Sequence, residues 1–327
     1  MRTRQRLMQL LSEEHFMAGT ELGKQLGISR AAVHKHISAL KASGLPVDGV
    51  SGRGYRLARG IVPLDGDVIT RYLDDRGRRQ FTKIFVEQSV DSTSNVLRRL
   101  SREESVHGAV SIAESQDGGR GRRGNPWISS AYRNLLLSMG WVFDSWPLEL
   151  TGLAVAAGVT LIDTMEELGI ENLGMKWPND IVYEDKKLGG VLIDVSGESS
   201  GACTLIIGVG INVHIAQGDG ALIEQPWTDL ATVLGRNVDR NELAGACIYG
   251  LNTMLLDYPR TGLDPYRERW TEVDVLAGRQ VTIMTHESGG LVHGRALGLG
   301  NAGALILAVD GGGRKLFYSG ELSVRKR

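Results

Sequence analysis

The chain has 327 residues, with 37 Lys/Arg against 38 Asp/Glu and 42% hydrophobic residues, enough for two or three domains and at least one sizeable core. Its longest apolar run, Leu148 to Ile162, is broken by Glu149, Thr151, Gly152 and Thr160, which argues against a membrane span there, and with its frequent charges the N-terminus is expected to hold no signal segment. Two distant cysteines, Cys203 and Cys247, argue against a metal cluster and fit a reduced, cytoplasmic setting.

The net charge of −1 hides an asymmetry. Residues 1–59 carry 10 Lys/Arg and four Asp/Glu, whereas the remainder carries 27 and 34, so a polyanion would meet only the basic head. That head opens with an amphipathic stretch, RQRLMQLLSEEH, in which Leu7, Leu10 and Leu11 share a face. In TELGKQLGISRAAVHKHISALKASG a short helix is expected to end at Gly27. Ser29 then caps a second helix with Val33, Ile37 and Leu40 inward. This is the helix-turn-helix pattern. Arg30, Ala31, His34 and Lys35 face outward, small and basic groups suited to a major groove. LPVDGVSGRGYRL reads as a hairpin turning at Ser51–Gly54, a wing carrying Arg53.

ARGIVPLDGD reads as a linker. Beyond it the expected elements are a strand (FTKIFVEQSV), a helix (DSTSNVLRRLSREE), a strand (GAVSIAESQ), a loop rich in arginine and the strand NLLLSMGWVF. A long helix follows, LELTGLAVAAGVTLIDTMEELG, closed by Gly169. Turn-separated strands LGMKW, IVYE, KLGGVLIDVS and TLIIGVGINV come next, then helices near DRNELAGACIYGLNTMLLDY and DPYRERW. The tail alternates short strands with glycine turns, as in a small β-barrel.

The loop GGRGRRGNPW places Gly119, Gly121 and Gly124 at G-x-G-x-x-G spacing with Arg120, Arg122 and Arg123 among them. It is not a dinucleotide fingerprint, because Pro126 and a polar run follow where a helix should open, and no acidic residue ends a second strand. The kinase motifs V-A-I-K, H-R-D and D-F-G and the Walker loop are also missing. Three permanent charges beside glycines in an acidic domain still point to a ligand with negative charge. Other candidates are Ser92, Thr93 and Ser94 at a helix start, and Lys176, Trp177, Asn179 and Asp180 around a proline turn. Lys186 and Lys187 precede Gly189–Gly190, and Gly208, Gly210 and Asn212 lie in GVGIN.

In this order and spacing, DSTSN, ESQDGGRGRRGNPW, KWPND, KKLGG and GVGIN resemble the biotin–protein ligases, and the N-terminal helix-turn-helix extends the resemblance to the bifunctional biotin-operon repressors. The resemblance implies an α+β chain in three parts. These are a winged helix-turn-helix over residues 1–62, a mixed-sheet catalytic domain like that of class II aminoacyl-tRNA synthetases over 63–272, and an SH3-like barrel over 273–327.

It also implies the chemistry: biotin and ATP, with Mg2+, give biotinyl-5′-adenylate, and biotin then passes to a lysine of the biotin carboxyl carrier protein of acetyl-CoA carboxylase. Ser92, Thr93, Ser94 and Gln116 would meet the ureido ring together with backbone near Gly121. Arg120, Arg122 and Lys187 would bring carboxylate and α-phosphate together, with Lys187, Arg122 and Asp180 as the catalytic set. Arg123, Trp127, Lys176, Asn179, Asp180 and Asn212 would frame the adenylate. Asp180 either orients the acceptor lysine or helps hold Mg2+. The family's D-S-T-N reads Asp91-Ser92-Thr93-Ser94-Asn95 here, so either Ser94 or Asn95 takes the asparagine's place. Arg30, Ala31, His34, Lys35 and Arg53 would contact operator DNA, in a homodimer promoted by ligand. A sensor without transferase activity and a lipoate or octanoyl transferase are the rival readings.

Overall fold

The computed structural model describes residues 2–75, 83–146, 150–197, 201–285, 290–318 and 322–326. Positions 148–149 of the expected long helix, the first two residues of FTKIFVEQSV, and 286–289 and 319–321 of the tail lie outside them.

The head is α1 (Arg2–Leu10), α2 (Gly19–Leu26), α3 (Arg30–Ala42) and the antiparallel pair β1 (Val47–Val50) and β2 (Gly54–Leu57). Gly27 ends α2 with φ 67°, the left-handed geometry that favours glycine, and the Ser29 hydroxyl accepts the Ala32 N–H at 3.1 Å as the cap of α3. Leu7, Leu22, Val33, Ile37 and Leu40 bury completely or nearly so, as their periodicity requires.

The segment read as a linker is instead pinned. The Gly60 N–H donates to Glu13 at 2.6 Å, Leu64 to Glu114 at 2.6 Å and Asp65 to Asn241 at 2.7 Å. Arg240 donates to the Val62 carbonyl at 3.0 and 2.6 Å, to the Asn134 carbonyl at 2.9 Å and to Glu114 at 2.6 Å. The Glu114 and Arg240 side chains are 3% and 2% exposed. A buried ion pair is tolerable only when its remaining hydrogen-bonding capacity is used, and the supposed linker uses it. Tyr132, from beyond the arginine loop, completes the head's own core.

After α4 (Gly66–Asp75) come β3 (Lys83–Glu87), α5 (Thr93–Leu100), β4 (Ala109–Ala113), β5 (Asn134–Phe143), α6 (Leu150–Glu167) and β6 (Gly174–Lys176). They are followed by β7 (Asp180–Tyr183), β8 (Lys186–Gly197) and β9 (Cys203–Asn212). The sheet order is β3-β4-β5-β9-β8-β7-β6, parallel at β3–β4 and antiparallel elsewhere. Short helices α7 (Gln217–Gly220) and α8 (Leu230–Leu234) lead to α9 (Arg240–Thr261) and α10 (Arg267–Val273). α6 and α9 pack together, and their apolar residues join those of β5 and β9 in the main core. The expected mixed sheet with flanking helices is therefore present. α5 is shorter than its sequence pattern, ending at Leu100 before a run of turns.

The tail forms an antiparallel sheet from β10 (Gln280–Thr285), β11 (Leu291–Leu299), β12 (Leu305–Val309), β13 (Arg314–Phe317) and β14 (Leu322–Lys326), in the order β13-β12-β11-β10-β14, consistent with the SH3-like expectation. It docks on the catalytic sheet, where the buried Trp177 indole donates to the Gly303 carbonyl at 3.0 Å. Among the described residues, no helix is long and apolar enough to cross a membrane.

Candidate active site

The site gathers on one face of the central sheet. Ser138 on β5, Gly208 and Gly210 on β9, and Gly190 on β8 share that face, since Ser138 pairs with Gly208 and Gly190 with Gly210, and side chains alternate along a strand. Three glycines leave a floor without side chains. A Cβ at Gly208 would lie 3.0 Å from Ser94 Oγ, and one at Gly210 would lie 2.6 Å from the Trp127 ring.

One edge of this floor is lined by hydroxyls. Ser92, Thr93 and Ser94 are all buried, but the Ser92 side chain makes no capping bond to α5. The Thr93 N–H donates to Gln116 Oε1 at 2.7 Å, and the Thr93 hydroxyl lies 3.1 Å from the same oxygen. Thr93 and Ser94 each meet the Ser138 hydroxyl, at 2.7 and 3.0 Å. Asn95 points elsewhere: it donates to Asp91 at 2.8 Å and accepts from Arg120 at 2.8 Å. The helical turn of about 100° per residue sends adjacent side chains to different faces, so Ser94 takes the buried position and Asn95 the outer one. Asp91 also receives Arg99 at 2.9 and 3.0 Å, and that guanidinium holds its carboxyl well below the usual carboxylate range.

The opposite edge is cationic. The arginine loop folds back on itself, with Gly121 N–H donating to the Asn125 carbonyl at 2.8 Å and Trp127 N–H to the Gly119 carbonyl at 2.9 Å. The Gly121 N–H is thus used inside the loop, where it closes the turn. Arg123 adopts φ 64° and is exposed, as is Arg120. Arg122 is half-buried. Burial lowers its pKa, the Asp180 carboxylate works to raise it, and Arg123 lowers it further. Lys187 Nζ lies 2.8 Å from Asp180 Oδ1 and 5.4 Å from the Trp127 ring centroid, a cation held between a carboxylate and an aromatic face. Gly190 lies beside this pair, where a Cβ would make ordinary contacts 3.4 Å from Asp180 Oδ1 and 3.5 Å from Lys187 Cε.

Lys176 pairs with Asp180 across the β6–β7 turn, on the same face. Asn179 is buried and its amide donates to the Val191 carbonyl at 2.8 Å. Asn212 donates to the Thr228 carbonyl at 3.1 Å and accepts from Asn134 at 3.2 Å. These two asparagines are tied into the frame, while Arg120, Arg122, Arg123 and Lys187 keep partial access to solvent. The sequence reading missed Ser138 and Asn134. Each is a lone polar residue in the apolar strand NLLLSMGWVF, and that interruption was the available signal.

In the head, Arg30, Ala31, His34 and Lys35 are exposed on α3, and Arg53 sits exposed at the wing. His34 Nδ1 meets the Tyr55 hydroxyl at 3.0 Å, joining the helix to the wing, and Arg53 and Arg56 stack on Phe16 at 4.4 and 4.6 Å.

Comparison with known proteins covers every part of this architecture. The biotin/lipoate A/B protein ligase family matches residues 86–212, an HTH domain residues 2–56, and the biotin protein ligase C terminal domain residues 277–325. The bifunctional ligase/repressor BirA of Salmonella typhimurium is 36% identical over 98% of this chain and 96% of its own length. The Escherichia coli BirA is 35% identical over the same shares. Among solved structures, the biotin protein ligase of Aquifex aeolicus in complex with biotin and ATP is 26% identical with a TM-score of 0.64, covering 76% of this chain and all of that one. With identity sustained through head, catalytic sheet and tail, the chain belongs to the family of bifunctional biotin–protein ligases and repressors.

Proposed function

We propose that the chain joins biotin to ATP, holds biotinyl-5′-adenylate, and transfers biotin to a lysine of the biotin carboxyl carrier protein of acetyl-CoA carboxylase. The observation that carries this reading is the pairing of a buried hydroxyl edge with a cationic edge across a glycine floor. Gly208 and Gly210 are two residues apart on one strand, about 7 Å, a span comparable with the valeric chain of biotin. A ureido ring at the hydroxyls therefore places its carboxylate near Arg122 and Lys187.

In the first step a biotin carboxylate oxygen attacks the α-phosphorus, the α–β bridging bond breaks, and pyrophosphate leaves. Two anions must approach, so positioned cations supply the catalysis. Lys187 would exchange Asp180 for the phosphate, while Arg122 stays beside Asp180. Mg2+ would arrive as the counterion of ATP. Arg123, Trp127, Lys176, Asn179 and Asn212 frame the adenylate. In the second step the acceptor amine attacks the acyl carbon, AMP leaves, and Asp180, released from Lys187, is placed to orient that amine. The head would bind operator DNA of biotin synthesis genes as a homodimer promoted by the adenylate, through Arg30, Ala31, His34, Lys35 and Arg53.

Incubation with biotin, ATP and Mg2+, followed by mass measurement of the bound product, should return biotinyl-adenylate and free pyrophosphate. Biotin alone in the complex would refute the enzymatic reading. Alanine at Arg30 and Lys35 should weaken operator binding and its salt dependence while leaving adenylate formation intact.

A further inference from the structure

The hydroxyl edge has a direction that follows from counting protons. Gln116 Oε1 receives a backbone N–H from Thr93 at 2.7 Å. The atom in that position must be the amide oxygen, because an NH2 group cannot accept. The same oxygen lies 3.1 Å from the Thr93 hydroxyl. An amide oxygen only accepts, so Thr93 commits its single proton there. The 2.7 Å contact between Thr93 and Ser138 must then use the Ser138 proton. The 3.0 Å contact between Ser138 and Ser94 must use the Ser94 proton.

All three hydroxyls are thus donors toward Gln116, and what they offer to a ligand is lone pairs. Gly208 pairs with Ser138, and a Cβ at that position would stand 3.0 Å from Ser94 Oγ and 3.7 Å from Ser138 Oγ. Ser111, the cross-strand neighbour of Ser138 on β4, does not extend the chain, since its buried hydroxyl makes no hydrogen bond.

We propose that Ser138, acting with Gln116, fixes the Thr93 and Ser94 hydroxyls as acceptors toward the ligand, so that the site selects a ligand ring bearing N–H groups over an isosteric ring bearing oxygen. Ser138 is a positioning residue, because its effect reaches the ligand through Ser94. The proposal rests on the reading of the site as a biotin site, since the ureido ring is the part of biotin that donates N–H. A cyclic carbamate, with ring oxygen in place of one ureido N–H, would set lone pairs against lone pairs in a buried place.

The test compares Kd for biotin with Kd for that cyclic-carbamate analogue by calorimetry on the full chain. Wild type should prefer biotin by about 100-fold or more. Ser138→Ala frees the Ser94 proton to turn toward the ligand, and the preference should shrink to roughly 10-fold or less. In a Ser94→Ala background, adding Ser138→Ala should change the preference no further. Ser138→Cys, which keeps the volume and weakens both hydrogen bonds, should fall between wild type and alanine and serves if the alanine variant fails to fold. A preference unchanged in both folded Ser138 variants, or a wild type indifferent between the two rings, would overturn the proposal. A wild type that binds neither ring would overturn the reading of the site itself.

Discussion

The two edges of the site are built on opposite physical plans. Along the Gln116–Thr93–Ser138–Ser94 edge the groups are neutral and mostly buried, and they satisfy one another at 2.7 to 3.1 Å. Along the other edge, Arg120, Arg122, Arg123 and Lys187 are charged and reach solvent to differing degrees, and Lys187 is held by Asp180 at 2.8 Å, a partner it would exchange in the proposed reaction. Desolvating a neutral hydroxyl is tolerable once its hydrogen bonds are made, whereas burying an unpaired cation is not. A rigid recognition edge can therefore be formed before ligand arrives, but a phosphate-binding edge keeps its charges near water until the phosphate comes. On the proposed reading, recognition is preorganised here and the reactive charges are provisionally paired.

The sharpest way to break that contrast is to fill the preorganised edge. Gly208→Val suits a β-strand, but its Cβ would stand 3.0 Å from Ser94 Oγ and its methyls would occupy the space over Ser138. Biotin affinity should fall by about 30- to 150-fold, roughly the 2–3 kcal/mol of overpacking a built pocket. Titration of folded protein with biotin checks this, and retained affinity would mean that the ring sits elsewhere.

A smaller effect should appear on the cationic edge. The loop from 117 to 124 is joined to its surroundings by the Asp117 N–H to the Val90 carbonyl at 3.0 Å, the Gly118 N–H to the Asp91 carbonyl at 2.8 Å and Arg120 to Asn95 at 2.8 Å. With biotin and ATP bound, the arginines should engage phosphate, and trypsin cleavage after Arg120, Arg122 and Arg123 should slow by roughly tenfold, an ordering of about 1.4 kcal/mol. Equal cleavage with and without ligand would show that this edge is as fixed as the other.

Much of this arrangement was legible before any coordinates. The helix-turn-helix declares itself through Ser29, Gly27 and the inward spacing of Val33, Ile37 and Leu40, all local signals. The order of DSTSN, GRGRRG, KWPND and GVGIN carries the family. Long-range pairings were not legible. Nothing local in ARGIVPLDGD announces that Arg240 will bond Val62 or that Glu114 will take the Leu64 N–H. Ser138 reads as a mere interruption of an apolar strand until β5 is placed against α5. The choice between Ser94 and Asn95 depended on the phase of α5, which a one-residue uncertainty in its start would reverse.

The account's central claim is that binding and chemistry are divided between the two edges, and Lys187→Ala tests it most directly. If, as proposed, Lys187 contributes charge where the phosphate reacts, its loss should cost transition-state stabilisation of about 2–4 kcal/mol, or 30- to 1,000-fold in rate. Biotin affinity, set by the hydroxyl edge, should change by less than about threefold, under 1 kcal/mol. The measurement is single-turnover adenylate formation alongside a biotin titration on the same folded variant. The predicted result is slow adenylation with near-normal biotin binding. Equal losses in both, or adenylation at the wild-type rate, would contradict the division of labour.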